Sequence, residues 1–155
     1  MDKEINFAWK KFYELSLDDL YAILNLRQQV FVVEQDCPYM DADYFDQDAF
    51  HLLGYRKESG KDRLVAYLRA YERFWNDGSA FCSLGRVVVE ERDRSKDLGK
   101  VITRMGIEFL KEKYPRCEVV ISAQHRLKKF YSDLGFSSRG KIYLEDDIDH
   151  IEMYI

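Results

Sequence analysis

Between Ser83 and Phe136 the chain reads Ser83-Leu-Gly-Arg-Val-Val-Val89, then a charged turn, Arg94-Ser-Lys-Asp-Leu-Gly-Lys100, then an amphipathic helix. A strand that feeds a glycine-containing turn at a helix N-terminus presents backbone N–H groups to an anion. The helix dipole adds to the attraction, and glycine lets a phosphate come close to the main chain. A diphosphate fits such a turn. The local charges balance: Arg92, Arg94, Lys96 and Lys100 oppose Glu90, Glu91, Asp93 and Asp97. Anion binding therefore requires the cations to face the ligand and the carboxylates to face away. Asp97 reads as a cap for the helix or as a charge that competes with the anion. A second strand, Val119-Val-Ile-Ser122, leads to a helix that brings Tyr131 near the same place.

Several other residues could move protons or hold a charged substrate. Glu34 follows the apolar run Val30-Phe-Val-Val33 and reads as a partly buried carboxylate with a raised pKa, or as a salt-bridge partner of Arg27 or Arg69. His51 and His150 titrate near neutrality, as a base must. A water relay to a carboxylate is an equal alternative. Asp41, Asp43, Asp46 and Asp48 form an acidic loop. Calcium is not expected there, because Asp46 stands where the EF-hand loop needs glycine and Leu52 where it needs glutamate. The loop reads as a solvated segment with helix caps, or as a rim that draws in a cationic amine. On the second reading Arg27, Asp41, Asp43, Asp46 and His51 bind the acceptor. Cys37, beside Pro38, has no evident partner base for a nucleophilic role.

The elements that must position these groups follow from length and pattern. The chain has 155 residues, which suits one domain, 1–155. Lys and Arg number 24 against 28 Asp and Glu, giving a net charge of −4, so a nucleic-acid partner is not expected. Three widely spaced cysteines without a C-x-x-C argue for reduced thiols, hence a cytoplasmic location. No basic-then-apolar leader is seen at Met1, and no apolar run approaches the ~18 residues of a membrane span. Lys10–Leu15 reads as a short strand. Ser16 caps a helix with Asp18 and Asp19 in its first turn, and Leu20, Ile23, Leu24, Arg27 and Val30 follow at helical spacing. Residues 36–48 read as a loop or broken helix. Phe50–Arg56 and Arg63–Tyr71 read as paired strands, Asn76–Ser79 as a turn and Phe81–Val89 as a buried strand. A helix beginning near Leu98 ends at Pro115; Cys117–Ser122 is a strand, Arg126–Leu134 a helix closed by Gly135, and one or two strands follow. This is an α/β chain with a mixed sheet, and its helical crossovers allow parallel strands.

Across nearly its whole length the chain resembles the GNAT acyltransferase superfamily, in its ElaA-like branch. The matching runs include Leu26-Arg-x-x-Val-Phe-Val-Val-Glu-Gln35, Cys37-Pro-Tyr39, Asp41-x-Asp43-x-x-Asp46, His51-Leu-Leu-Gly54 and Leu64-Val-Ala-Tyr-Leu-Arg69. Gly85–Val89, Ser122-Ala-Gln124, Phe130-Tyr131, Glu145-Asp146 and His150-Ile-x-Met153 extend the match.

The resemblance implies six to seven strands with a splay between two central parallel ones. It implies acetyl-CoA as cofactor and a small-molecule or peptide primary amine as acceptor, with direct attack in a ternary complex. Pantetheine would pair with the backbone of Val87, Val88 and Val89. The diphosphate would lie on Arg94, Ser95, Lys96, Asp97, Leu98, Gly99 and Lys100. Gln124 would face the cofactor, and Tyr131 would stand near its sulfur as general acid with Glu34 as base. The glycines of the superfamily pattern are absent at Ser95 and Asp97, which supports an alternative: a binding or regulatory module on the same scaffold. Arg27-x-x-x-Phe31, Asp43-x-x-Asp46 and Arg69 also resemble acyl-homoserine-lactone synthases, though Cys37 stands near an expected tryptophan. A pairing of two copies is compatible with either reading.

Overall fold

The computed structural model describes residues 4–155, with the side chains of Ser95 and Lys96 outside the description. The first strand, β1 (Ile5–Lys11), turns Ile5, Phe7 and Trp9 to the core by strand alternation. It lies five residues before the expected Lys10–Leu15 strand, whose residues Phe12–Glu14 instead make a 3₁₀ turn. Ser16 then caps α1 (Leu17–Arg27) as expected. Its hydroxyl accepts from the Asp19 N–H at 3.0 Å, and the Asp19 carboxylate accepts from the Ser16 N–H at 3.0 Å. The helix runs on as a π-helical stretch, Gln28–Glu34.

Three hairpin-linked strands complete the first sheet: β2 (Phe50–Glu58), β3 (Lys61–Phe74) and β4 (Ala80–Val89), in the order β1-β2-β3-β4. The expected Asn76–Ser79 turn is present, with Trp75 N–H bonded to Ser79 O at 2.9 Å. One face of this sheet packs Leu53, Tyr67 and Val88 on Ile23 and Leu26 of α1. The other packs Leu52, Leu68 and Leu84 under α2 (Leu98–Lys113), on Ile102 and Leu110. The helix sits so close that a Cβ on Gly106 would meet Leu68 at 3.2 Å and Leu84 at 3.3 Å.

The second sheet has the order β5-β7-β6, from β5 (Val120–Gln124), β6 (Ser137–Glu145) and β7 (Ile148–Tyr154). Between β5 and β6 a 3₁₀ turn, His125–Leu127, leads into α3 (Lys128–Ser132), shorter than the expected Arg126–Leu134 helix. Phe136 N–H closes it on Tyr131 O at 3.1 Å. The two sheets meet where β4 and β5 run parallel. They touch through one bridge, Cys82 to Val119, with Cys82 N–H bonded to Glu118 O at 3.0 Å. Beyond it the strands part. The expected splay between two central parallel strands is therefore present. No helix among the described residues is long and apolar enough to cross a membrane.

Candidate active site

Four residues past the Cys82–Val119 bridge, β4 carries a bulge on its β3 side. Tyr67 pairs with Val88 and Arg69 with Gly85, so Arg86 and Val87 oppose the single residue Leu68. Arg86 takes the left-handed conformation, φ +52°, as the first residue of a G1-type bulge does. A long L side chain there is strained unless something holds it. Two aspartates do: Arg86 Nε lies 2.7 Å from Asp41 Oδ1, Nη2 lies 3.0 Å from Asp41 O, and Nη2 also lies 3.4 Å from Asp43 Oδ2. Val87 is left without a partner in the β3 register, which keeps its main chain available to the cleft.

The far end of the cleft is the start of α2. Glu91–Lys96 forms a 3₁₀ turn, fixed beneath by Asp93, whose carboxylate is buried against Arg56 at 2.6 Å and Arg63 at 3.2 Å. Glu90 is taken up by Arg63 and Arg92. Asp97 follows with φ +53°. This is one of the positions where the resemblance implies glycine, the residue that takes a positive φ without strain. Its expected role as a cap is not met: the carboxylate makes no capping bond, is 79% exposed and lies 3.8 Å from Lys100 Nζ. The first intrahelical bond is Val101 N–H to Asp97 O, so the amides of Leu98, Gly99 and Lys100 have no intrahelical acceptor. Two of the nearby carboxylates, Glu90 and Asp93, are thus neutralised beneath the turn, and that of Asp97 is exposed at the cleft edge, where Arg94 and Lys100 also line the cavity.

The cavity between these ends measures about 700 Å³, within the usual range of small-molecule sites. Of the residues assigned to the cofactor from sequence, Val87, Val88, Val89, Arg94, Asp97, Gly99, Lys100, Gln124 and Tyr131 line it. Leu98 does not: it is buried in the core under α2. The side chains of Ser95 and Lys96 lie outside the described residues. Tyr131 is held by edge-on contacts with Phe130 and Phe136, ring centroids 5.0 and 5.8 Å apart. Burial pushes its phenol up to about 12, and its hydroxyl has no hydrogen-bond partner among the described residues. Gln124 donates to Gln35 Oε1 at 3.1 Å and accepts from Arg126 at 2.9 Å, which ties the π-helical stretch to β5.

Glu34 departs from expectation. It is exposed, and its salt-bridge partner is Arg94, at 2.7 Å, rather than Arg27 or Arg69. The burial that would have made it a base is missing, although it lines the same cavity.

The acceptor rim read into Arg27 and the acidic loop is also corrected. Arg27 is fully buried. Its guanidinium reaches Asp41 Oδ2 at 2.7 Å, Asp46 Oδ1 at 2.8 Å and Asp41 O at 2.9 Å. Arg69 holds Asp43 through both oxygens, at 2.7 and 2.6 Å, and shares Asp46 Oδ1 at 2.8 Å. With Arg86 this makes three guanidiniums against three carboxylates, so the aspartates' charge is spent inside the protein. Burial alone would raise the Asp43 and Asp46 carboxyls; the hydrogen bonds and charges of the arginines override it and hold both below the usual range.

His51 belongs to the same cluster and not to a substrate rim. It is buried, and burial depresses its pKa. Nε2 lies 2.9 Å from the Asp46 carbonyl oxygen, which only accepts, so Nε2 carries the hydrogen and Nδ1 accepts from the Tyr67 hydroxyl at 2.8 Å. Cys37 is buried and its thiol donates to Asp146 O at 3.4 Å, tying this loop to the β6–β7 turn.

Sequence reasoning gave no chemical role to Arg86, Ser122, Tyr143 or Glu145, and all four line the cavity. A usable signal existed for the buried cluster. Arg27 and Arg69 lie within the apolar patterns of a helix and a strand, and a buried guanidinium demands carboxylates.

Comparison with known proteins agrees with this geometry. Residues 26–155 match the family model described as acetyltransferase (GNAT) domain. Protein ElaA of Escherichia coli is 39% identical over 142 residues, covering 90% of this chain and 89% of that protein. The crystal structure of Escherichia coli ElaA superposes with a TM-score of 0.85 at 36% identity, covering 97% and 99% of the two chains. An acyl-CoA N-acyltransferase from Pseudomonas aeruginosa gives a TM-score of 0.85 at 35% identity, with the same coverage.

Proposed function

This chain belongs to the GNAT acetyltransferase superfamily, in its ElaA-like branch, and on that premise we propose that it is an N-acetyltransferase acting on a primary amine. The observation that carries the proposal is the cleft. Two parallel strands part beyond a single bridge, and the gap leads from the unpaired main chain at Val87 to the uncapped N-terminus of α2. Acetyl-CoA, when bound, would supply the activated acyl group and a thiolate leaving group.

The residues present fit that cofactor. The amides of Gly99 and Lys100 would hold the diphosphate, with the dipole of a 16-residue helix behind them. A Cβ on Gly99 would find only ordinary contacts, Phe130 at 3.6 Å, so nothing in the fold itself demands glycine there. Close approach of a phosphate to the backbone would. The main chain at Val87 would hydrogen-bond the extended arm of the cofactor and orient the acyl group. Tyr131 would hold a proton at its hydroxyl throughout the physiological range and present it to the leaving sulfur.

Calorimetry with acetyl-CoA, followed by thiol release across a panel of primary amines, tests the proposal. Saturable one-to-one binding and amine-dependent thiol release support it. Absence of heat at high micromolar cofactor overturns it. The alternative, a module without turnover, rests on repulsion by Asp97, and cofactor binding without amine-dependent thiol release would favour it.

A further inference from the structure

We propose that His150 takes the proton from the acceptor, and that His150, Glu145 and Ser122 form the subsite for a cationic primary alkylamine. This rests on the acyltransferase reading and names the acceptor class and base for the same cleft.

Strand register brings the group together. His150 on β7 lies directly opposite Gln124 on β5 and opposite Tyr143 on β6. Residues paired in this way, and those two positions along, point to one side of a sheet. Ser122, Gln124, Tyr143, Glu145 and His150 therefore share one face, and all five line the cavity that holds Tyr131. The opposite face carries Ile121, Ala123, Ile151 and Met153 into the core.

The chemistry at His150 follows from one hydrogen bond. Nδ1 lies 2.7 Å from the Ile148 carbonyl oxygen. A carbonyl only accepts, so Nδ1 carries the hydrogen, and the neutral ring bears its lone pair on Nε2. The residue is only 9% exposed, and Nε2 has no hydrogen-bond partner among the described residues. Glu145 Oε2 stands 3.7 Å away, too far for a hydrogen bond. Two acceptors so close, the Nε2 lone pair and the carboxylate, can be bridged from the cavity side by one N–H-rich cation. The Ser122 hydroxyl fixes the carboxylate by donating to the same oxygen at 2.6 Å and also meets the Tyr143 hydroxyl. Among the other charges that line the cavity near His150, Glu152, on its own strand, pairs with Arg139. Arg126 bonds the neutral amide of Gln124 and keeps its positive charge. Asp146 is held by Cys37 through its backbone carbonyl, so its carboxylate is a second negative charge at the rim. Glu145 is the carboxylate nearest His150 Nε2 and is the one placed to meet an incoming ammonium.

An ammonium group offers three N–H donors, enough for Nε2 and the Glu145 carboxylate together. One proton passes from nitrogen to Nε2. The electron pair of that N–H bond stays on nitrogen as the attacking lone pair. The imidazolium formed is balanced by Glu145, and later gives its proton to water at the cleft mouth.

The test uses the full chain with its histidines ¹⁵N-labelled and n-butylammonium chloride as probe, without acetyl-CoA, against sodium chloride at equal ionic strength. The His150 Nε2 signal should shift saturably with n-butylammonium, and Glu145→Gln should abolish the shift. No saturable shift at ~100 mM probe overturns the subsite. In the thiol-release assay, His150→Asn keeps a donor toward Ile148 but lacks Nε2. It should lower kcat/KM for primary alkylamines on the order of 10²-fold at pH 7. The deficit should shrink to below about 10-fold near pH 10, where free amine needs no base. Acetyl-CoA affinity should hold within about twofold. Wild-type turnover and pH profile in His150→Asn would overturn the role while leaving the acyltransferase reading intact. Failure of acetyl-CoA to bind the wild type would overturn that reading instead, and the probe titration would still judge the subsite. Should His150→Asn not fold, Glu145→Gln and the wild-type titration decide.

Discussion

Arg86 Nε sits 2.7 Å from Asp41 Oδ1, and that contact links the acidic loop to the splay of the sheet. Arg86 occupies the strained bulge position of β4, while Asp41 also receives Arg27 from α1 at 2.7 Å. Asp41, Asp43 and Asp46 therefore act as an internal clamp. It joins the end of α1, strand β3 through Arg69, and the β4 bulge at the cleft wall.

Asp41→Asn leaves two buried or half-buried guanidiniums short of a counter-charge. It should cost about 3 kcal/mol of stability, a fall of about 10 °C in melting temperature, and weaken acetyl-CoA binding as the bulge relaxes. Asp48→Asn, on the same loop with an exposed carboxylate, should stay within about 0.5 kcal/mol of the parent. Urea denaturation and calorimetry measure both. Equal stability of the two variants would reject the clamp.

Asp97 bears its positive φ at a cost that glycine would not incur. Asp97→Gly should therefore be more stable than Asp97→Ala by about 1 kcal/mol. With the carboxylate 79% exposed, removing its charge should tighten acetyl-CoA binding less than about threefold, the effect expected of a screened surface charge. A tenfold gain would place the carboxylate against the phosphates instead.

Tyr131→Phe keeps the edge-on packing against Phe130 and Phe136 and removes a hydroxyl without a partner among the described residues. Stability should change by less than about 0.5 kcal/mol and cofactor affinity by less than about twofold, while kcat falls on the order of 10²-fold. Parallel losses in affinity and kcat would mean that the phenol only packs.

Much of this scaffold was legible in residue order. Ser16 with Asp19, the apolar face of α2 and the Asn76–Ser79 turn are local signals, each within reach of a few neighbouring residues. The β1 strand was misplaced because its alternation is weak, Ile5, Phe7 and Trp9 being interleaved with Asn6 and the apolar Ala8, while Lys10–Leu15 is merely rich in aromatics. The aspartate loop looked like a solvated rim because its partners come from afar: Arg27, Arg69 and Arg86 lie on three separate elements. The diphosphate turn could be read in outline, but not the direction of Asp97, since a backbone angle is not written in a charge count. His150 had no visible neighbours until the register of β5, β7 and β6 set it between Gln124 and Tyr143.

Acid should expose the N-terminal cap. Burial alone would raise the Asp19 carboxyl, but hydrogen bonds from Lys10, Tyr55 and Ser16 pull it down to about 2. The unfolded chain takes up that proton near pH 3.9, so this stabilisation is complete above about pH 4 and is lost as pH falls through 2. It amounts to about 2 kcal/mol. Stability measured by urea between pH 5 and 2 should fall less steeply in Asp19→Asn than in the parent; identical slopes would contradict this.

The most direct test of the cleft is an acetyl-CoA titration of ¹⁵N-labelled protein followed at the backbone amides. The Gly99 and Lys100 signals should shift to saturation at one equivalent, together with those of Val87 to Val89, and Gly99→Ala should bind at least 10-fold more weakly with no loss of stability. Unmoved amides at the start of α2, or a Gly99→Ala protein that binds as tightly as the parent, would contradict the assignment of that helix end to the diphosphate.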